Sequence, residues 1–154
     1  MMDQREIVKR IPHRAPFLWI DRIVELEPGI RCVALKFVDP AESFFAGHFP
    51  GKAILPGVFL IEAVAQTAGV MLSCSREQGF GPEAEGISGR IPLLAAVNRF
   101  KFLKPVEPGS ELRIETRKLT DAGRMACIEG TVRVGGEVVA KGELSVVSSE
   151  SIWP

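Results

Sequence analysis

A chain of 154 residues that is 46% hydrophobic and 25% charged has the balance of an ordinary globular domain, with length enough to bury a sizeable core. Its 19 Lys and Arg match 19 Asp and Glu, and this zero formal charge speaks against a nucleic-acid binder and against attachment to a membrane by charge. The three cysteines, Cys32, Cys74 and Cys127, stand too far apart for a zinc motif and are odd in number, so neither a metal site nor a disulfide framework is expected.

The opening Met1-Met2-Asp3-Gln4-Arg5-Glu6 places charges where a signal peptide has its apolar stretch, and a cytoplasmic location is expected. Residues 3–10 predict a short helix that ends before Pro12. Two apolar, β-branched runs follow, Phe17 to Glu27 and Ile30 to Val38, joined by the turn signal Pro28-Gly29, and they predict a hairpin. From Ala46 to Gly57 the chain is crowded with Gly and Pro, a composition that fixes a backbone path.

Pro56 then introduces the one long helix predicted, Val58 to about Arg76, with Gly79 just past its end. Its core, Gly57 to Cys74, is interrupted by Glu62, Gln66, Thr67 and Ser73. It falls short of the roughly 20 apolar residues of a membrane span, so it reads as a helix buried in protein. Residues 79–89, rich in glycine, read as a loop. Four strands are predicted after it, at about 91–104, 110–119, 124–134 and 137–147, as a meander turning at Glu107-Pro108-Gly109, Thr120-Asp121-Ala122-Gly123 and Gly135-Gly136. Leu112, Ile114 and Thr116 alternate with charged residues, the pattern of a half-solvated strand.

The order is two strands, one apolar helix and four strands, without internal repeat or domain boundary, and residues 1–154 are expected to form a single domain. A helix apolar nearly all round has to be enclosed, and the sheet is the only enclosure the chain offers, aided by a second copy. An α+β hot-dog fold fits this order, an antiparallel sheet of about six strands wrapped around one long central helix, and other α+β packings fit it too.

Glu62 lies within that helix among Leu60, Ile61, Ala63, Val64 and Ala65, where a carboxylate has to be paired, hydrogen-bonded or protonated; Gln66, one turn on, is placed to hold it. A structural carboxylate at a groove or an oligomer interface fits the helix equally well. His48, in Gly47-His48-Phe49-Pro50-Gly51 just before the helix, has a side chain suited to proton transfer near neutral pH. His13, in Pro12-His13-Arg14, is assigned no chemistry. Gly57 stands where unpaired helix N–H groups can receive a carbonyl oxygen. No phosphate loop, dinucleotide fingerprint or nucleophile elbow is present. Arg99, Lys101 and Lys104 form a small basic cluster, read as a solvated strand face.

The segments Ile11-Pro12-His13-Arg14-Ala15-Pro16-Phe17, Asp21-Arg22, Gly47-His48-Phe49-Pro50-Gly51, Leu55-Pro56-Gly57-Val58 and Glu62-Ala63-Val64-Ala65-Gln66 resemble the (3R)-hydroxyacyl-acyl-carrier-protein dehydratases of the FabZ type. The resemblance extends over residues 7–147, weakly in the strands. It implies a cytoplasmic enzyme of type II fatty-acid synthesis, with catalytic His48 and Glu62, substrate binding at Gly57 and Val58, no metal and no resident cofactor. The substrate would arrive on the phosphopantetheine arm of acyl carrier protein. It also implies self-association as a dimer, commonly a trimer of dimers, in which His48 of one subunit faces Glu62 of the other. Glutamate rather than aspartate on the helix favours dehydration without double-bond isomerisation. Ala15 stands where the family usually has tyrosine and Asn98 where aspartate is common, and residues 76–90 are longer and richer in glycine than the usual connection. These departures bear on acyl chain length and pathway. A hot-dog acyl thioesterase is the rival enzyme, although it generally lacks the His48 loop, and a non-catalytic acyl-binding or assembly module is the rival of another class.

Overall fold

The computed structural model describes residues 1–75, 91–122 and 125–149. A short helix, α1 (Gln4–Ile7), opens the chain. The Asp3 carboxylate accepts the Glu6 N–H while the Glu6 carboxylate accepts that of Asp3, a capping box that closes so short a helix. Strands β1 (Arg22–Glu27) and β2 (Arg31–Phe37) form the predicted hairpin about Pro28-Gly29. A 3-10 turn at Ser43–Ala46 leads into the Gly- and Pro-rich loop, and α2 (Gly57–Ser73) follows. Then come β3 (Ile91–Phe102), β4 (Glu111–Ala122), β5 (Met125–Val134) and β6 (Glu137–Ser149).

The six strands make one antiparallel sheet in the order β1-β2-β4-β5-β6-β3, and α2 touches all six. This is the hot-dog arrangement. Val58 alone in α2 is exposed, and the core gathers Leu60, Ala63, Val64, Met71 and Leu72 of the helix against Cys32, Ile114, Ile128 and Leu144 of the sheet. The helix seats closely at Gly130 of β5: a Cβ there would stand 2.3 Å from Val64 Cγ1, inside any possible contact distance. Alternation along β4 is as predicted, with Leu112, Ile114 and Thr116 buried.

Four expectations need correction. The last four strands are not a meander; only β4-β5-β6 is. After β3 the chain leaves its neighbour β6 and passes under the N-terminus of α2, where Val106 O accepts the Leu55 N–H (2.7 Å), to reach β2, where Val38 O accepts the Gly109 N–H (2.8 Å). Glu107-Pro108-Gly109 therefore ends a crossover and not a hairpin. The first strand is shorter than predicted, because Phe17 O and the Trp19 N–H are engaged by the Gln66 side chain and not by β2. Thr120 to Ala122 continue β4 through a bulge, with Gly123 outside the described residues. The helix ends at Ser73, short of the expected Arg76, which with the 79–89 loop also lies outside them. Gly135-Gly136 forms the expected turn, both residues at positive φ (55° and 89°).

The contact at Gly130 sets a testable limit. Gly130→Ala should cost about 1–3 kcal/mol of unfolding free energy by overpacking, and in a Val64→Ala background most of that cost should vanish, since only the Val64 Cβ, at 3.2 Å, is then left against the new methyl group. Denaturant titration of the single and double variants measures this; equal costs in both backgrounds would locate the effect elsewhere.

Candidate active site

The loop before α2 holds His48 by both backbone and side chain. Its N–H donates to Phe44 O (3.0 Å), its carbonyl accepts the Ile54 N–H (3.0 Å), and its ring stacks on Phe49 with centroids 4.1 Å apart. Nδ1 lies 2.9 Å from Ile54 O. A carbonyl only accepts, so Nδ1 carries the proton and a neutral His48 keeps its lone pair on Nε2. The ring borders an apolar groove of about 480 Å³ whose walls include Leu55, Gly57, Val58, Phe102 and Val106.

Helix α2 enters this groove with its first turn. Pro56 supplies no capping side chain, and its carbonyl takes the Phe59 N–H (3.0 Å). The N–H groups of Gly57 and Val58 precede any intrahelical partner and make no hydrogen bond among the described residues. Gly57 is needed sterically, though for a neighbouring side chain: a Cβ would stand 2.8 Å from the Phe102 ring.

Glu62 sits one turn beyond Val58. Its Oε1 accepts a hydrogen bond from Gln66 Nε2 (2.7 Å), as the one-turn spacing led us to expect. Gln66 itself is 1% exposed and fully engaged, accepting the Trp19 N–H at 2.7 Å and donating to Phe17 O at 2.8 Å. The second group beside Glu62 is His13, whose Nε2 lies 3.4 Å from the same Oε1. His13 was passed over in the sequence. Nothing in the order of residues brings position 13 to position 62; the bonds of Gln66 to Phe17 and Trp19 do, together with the packing of Ile11 on Gly69 of the helix. Burial holds the His13 pKa below the ordinary histidine range, with Glu62 pulling it up and Arg14 pushing it down.

One chain thus brings His48 together with Gly57 and Val58, and Glu62 together with Gln66 and His13. No hydrogen bond or ion pair joins the two groups among the described residues, and Glu62 does not line the His48 groove. Of the basic cluster, Arg99 pairs with Glu143 and Lys104 with Glu137, as a solvated face does.

The FabA-like domain family matches residues 11–143. The chain is 41% identical over 149 residues to the 3-hydroxyacyl-acyl-carrier-protein dehydratase FabZ of Geotalea uraniireducens, covering 97% of this chain and 98% of that one. It is 44% identical to the FabZ of Roseiflexus castenholzii, with 94% of each covered. Among solved structures, the dehydratase heterocomplex ApeI:P of Xenorhabdus doucetiae shares the fold, with a TM-score of 0.74 at 21% identity, covering 93% of this chain and 90% of that one.

The lowered His13 pKa has a sign that can be checked. The unfolded chain, with a pKa of about 6.5, binds a proton that the folded chain resists, so the contribution of neutral His13 is complete above that value and lost as pH falls below it. Urea midpoints measured from about pH 7.5 down to about pH 5.5 should fall further for the native chain than for His13→Phe, which cannot titrate. Parallel curves would contradict it.

Proposed function

Because the chain belongs to the FabA-like domain family and resembles FabZ enzymes over nearly its whole length, we propose that it dehydrates 3-hydroxyacyl-acyl-carrier-protein to the trans-2-enoyl product in fatty-acid synthesis. The observation that carries the chemistry is the orientation of His48, whose Nδ1–H is committed to Ile54 O and whose Nε2 is thereby the base. His48 Nε2 takes the C2 proton of the substrate. The charge that develops on the thioester oxygen is received by the N–H groups of Gly57 and Val58 at the positive end of α2. The electrons of the C2–H bond form the double bond, and the C3–oxygen bond breaks as Glu62 gives a proton to the departing hydroxyl.

The two halves of this machinery meet across a dimer in this reading. In α2 the residues not fully buried include Val58, Ile61, Glu62 and Ala65, which recur at helical spacing and make one stripe, apolar except for the carboxylate. Strand β3 is an edge strand paired on one side only, and Leu94, Val97 and Phe102 on it are exposed. A long apolar edge of this kind calls for a partner. A second copy laid along β3 covers it and brings His48 of one subunit to Glu62 of the other; such dimers associate further as a trimer. The substrate comes on the phosphopantetheine arm of acyl carrier protein, and the residues His48, Glu62 and the α2 N-terminus need no resident cofactor or metal for this step. The resemblance to FabZ enzymes supports a cytoplasmic location, and no described helix is long and apolar enough to cross a membrane.

Intact-protein mass spectrometry of a 3-hydroxyacyl carrier protein after incubation with this chain tests the reaction. Loss of one water is expected, without isomerisation to a 3-enoyl product. Loss of the whole acyl group would establish a thioesterase instead, and an unchanged carrier at every chain length would leave an acyl-binding module. His48→Ala and Glu62→Gln should each lower the rate by about 100-fold or more, given the roughly 10²–10⁴-fold typical of general acid-base catalysis. Mixed dimers of the two inactive variants should regain activity through their one intact site; mixtures that stay inactive would place the site within one chain.

A further inference from the structure

Glu62 is hydrogen-bonded through one oxygen only. Oε1 receives the Gln66 amide at 2.7 Å and lies 3.4 Å from His13 Nε2, whereas Oε2 has no hydrogen bond among the described residues. The Gln66 arm cannot turn away. Its Oε1 is committed to the Trp19 N–H, and its Nε2 divides its two hydrogens between Phe17 O and Glu62.

The His13 arm is constrained in a similar way. Its Nδ1 is buried without a hydrogen-bond partner, so a proton there would be an orphaned donor, while a proton on Nε2 faces a carboxylate. The neutral ring therefore carries its hydrogen on Nε2, on the Glu62 side, where 3.4 Å is an electrostatic contact and not a formed hydrogen bond. Further contacts steady the ring and its backbone. It stacks on Phe17 with centroids 6.3 Å apart, and the Arg14 guanidinium donates to Ile11 O (3.0 Å) and to His13 O (2.8 Å), tying down the segment that carries it.

We propose that His13 is a positioning residue for the dehydration: with Gln66 it holds Oε1 of Glu62, so that Oε2 is the oxygen that hands its proton to the departing C3 hydroxyl. The inference rests on the dehydratase reading and on the role of Glu62 within it. In the step so defined the O–H bond at Oε2 breaks and one forms on the leaving oxygen, which takes the electron pair of the C3–oxygen bond and departs as water. The C2 proton passes to His48 Nε2, and the C2–H electrons become the double bond. His13 gains and loses nothing. It limits the rotation of the carboxyl group, an orientational contribution that appears in kcat more than in KM.

Two substitutions isolate the donor. His13→Phe keeps a flat ring over Phe17 and removes the N–H, whereas His13→Gln returns an N–H at the reach of Nε2. We expect kcat to fall about tenfold to a hundredfold in His13→Phe, a part of the roughly 10²–10⁴-fold general-acid effect, with KM for the loaded carrier little changed. His13→Gln should recover most of the loss. In a Glu62→Gln background His13→Phe should cost nothing further, because a residue acting through Glu62 has nothing left to act on.

If His13→Phe fails to fold, His13→Met, matched to glutamine in length and without a donor, takes its place. Equal kcat in the donor-free variant and the native chain overturns the proposal, as does a glutamine variant no better than the donor-free one, or an undiminished loss in the Glu62→Gln background. Failure of the underlying reading looks different: the native chain then removes no water from the loaded carrier, or Glu62→Gln alone retains full activity.

Discussion

Everything in this chain answers to the need to keep α2 out of water. Seventeen residues long and exposed only at Val58, the helix cannot be covered by another helix, because the chain has none of comparable length among the described residues. The sheet does the covering, and Gly130 lets it approach as far as the Val64 side chain. Burial on this scale supplies the hydrophobic stabilisation of the fold. It also imposes a condition: any polar side chain on the helix must find its partners within the protein.

That condition shapes the chain ahead of β1. Gln66 is buried at the centre of α2, and its amide is satisfied by Phe17 O, by the Trp19 N–H and by Glu62. The segment that supplies these groups is drawn out of the sheet, so the first strand begins only at Arg22. Asp21 marks the change of role, its carboxylate accepting both the Lys36 ammonium (3.2 Å) and the Phe37 N–H (2.7 Å). Lys36, itself buried, lies over the Trp19 ring at 4.8 Å. The price of a polar residue in the helix is thus an irregular segment beside it, and His13 reaches Glu62 because it lies at the start of that segment.

Local chemistry accounts for what the sequence disclosed. The hairpin at Pro28-Gly29, the long helix, the Gly135-Gly136 turn and the inward set Leu112, Ile114 and Thr116 each depend on residues a few positions apart. So does the Gln66 to Glu62 bond, which is fixed by one helical turn. The misreadings share the opposite property. The position of β3 beside β6 depends on where a crossover lands, and a Pro-Gly turn signal at 108–109 does not reveal whether the next strand is a neighbour or lies across the sheet. His13 is a plain loop residue until Gln66 gathers Phe17 and Trp19 to the helix. Its signal was present only indirectly, in the buried amide of Gln66, which had more hydrogen-bonding capacity than Glu62 alone could use.

The division of the site follows from the same packing. A single sheet covers α2 on most sides and leaves the stripe through Val58, Ile61, Glu62 and Ala65 less protected than the rest. At one end of that stripe lies the His48 groove, and Phe102, which closes over Gly57, also belongs to the unpaired edge strand β3. The uncovered helix stripe, the open sheet edge and the groove are therefore parts of one continuous surface. A carboxylate on such a surface is costly to bury alone, and in one chain it is hydrogen-bonded on a single oxygen. In the proposed dimer, a second chain over this surface would remove the apolar exposure and enclose Oε2 at once, so that the burial completing the fold would also exclude water from the reacting acyl chain.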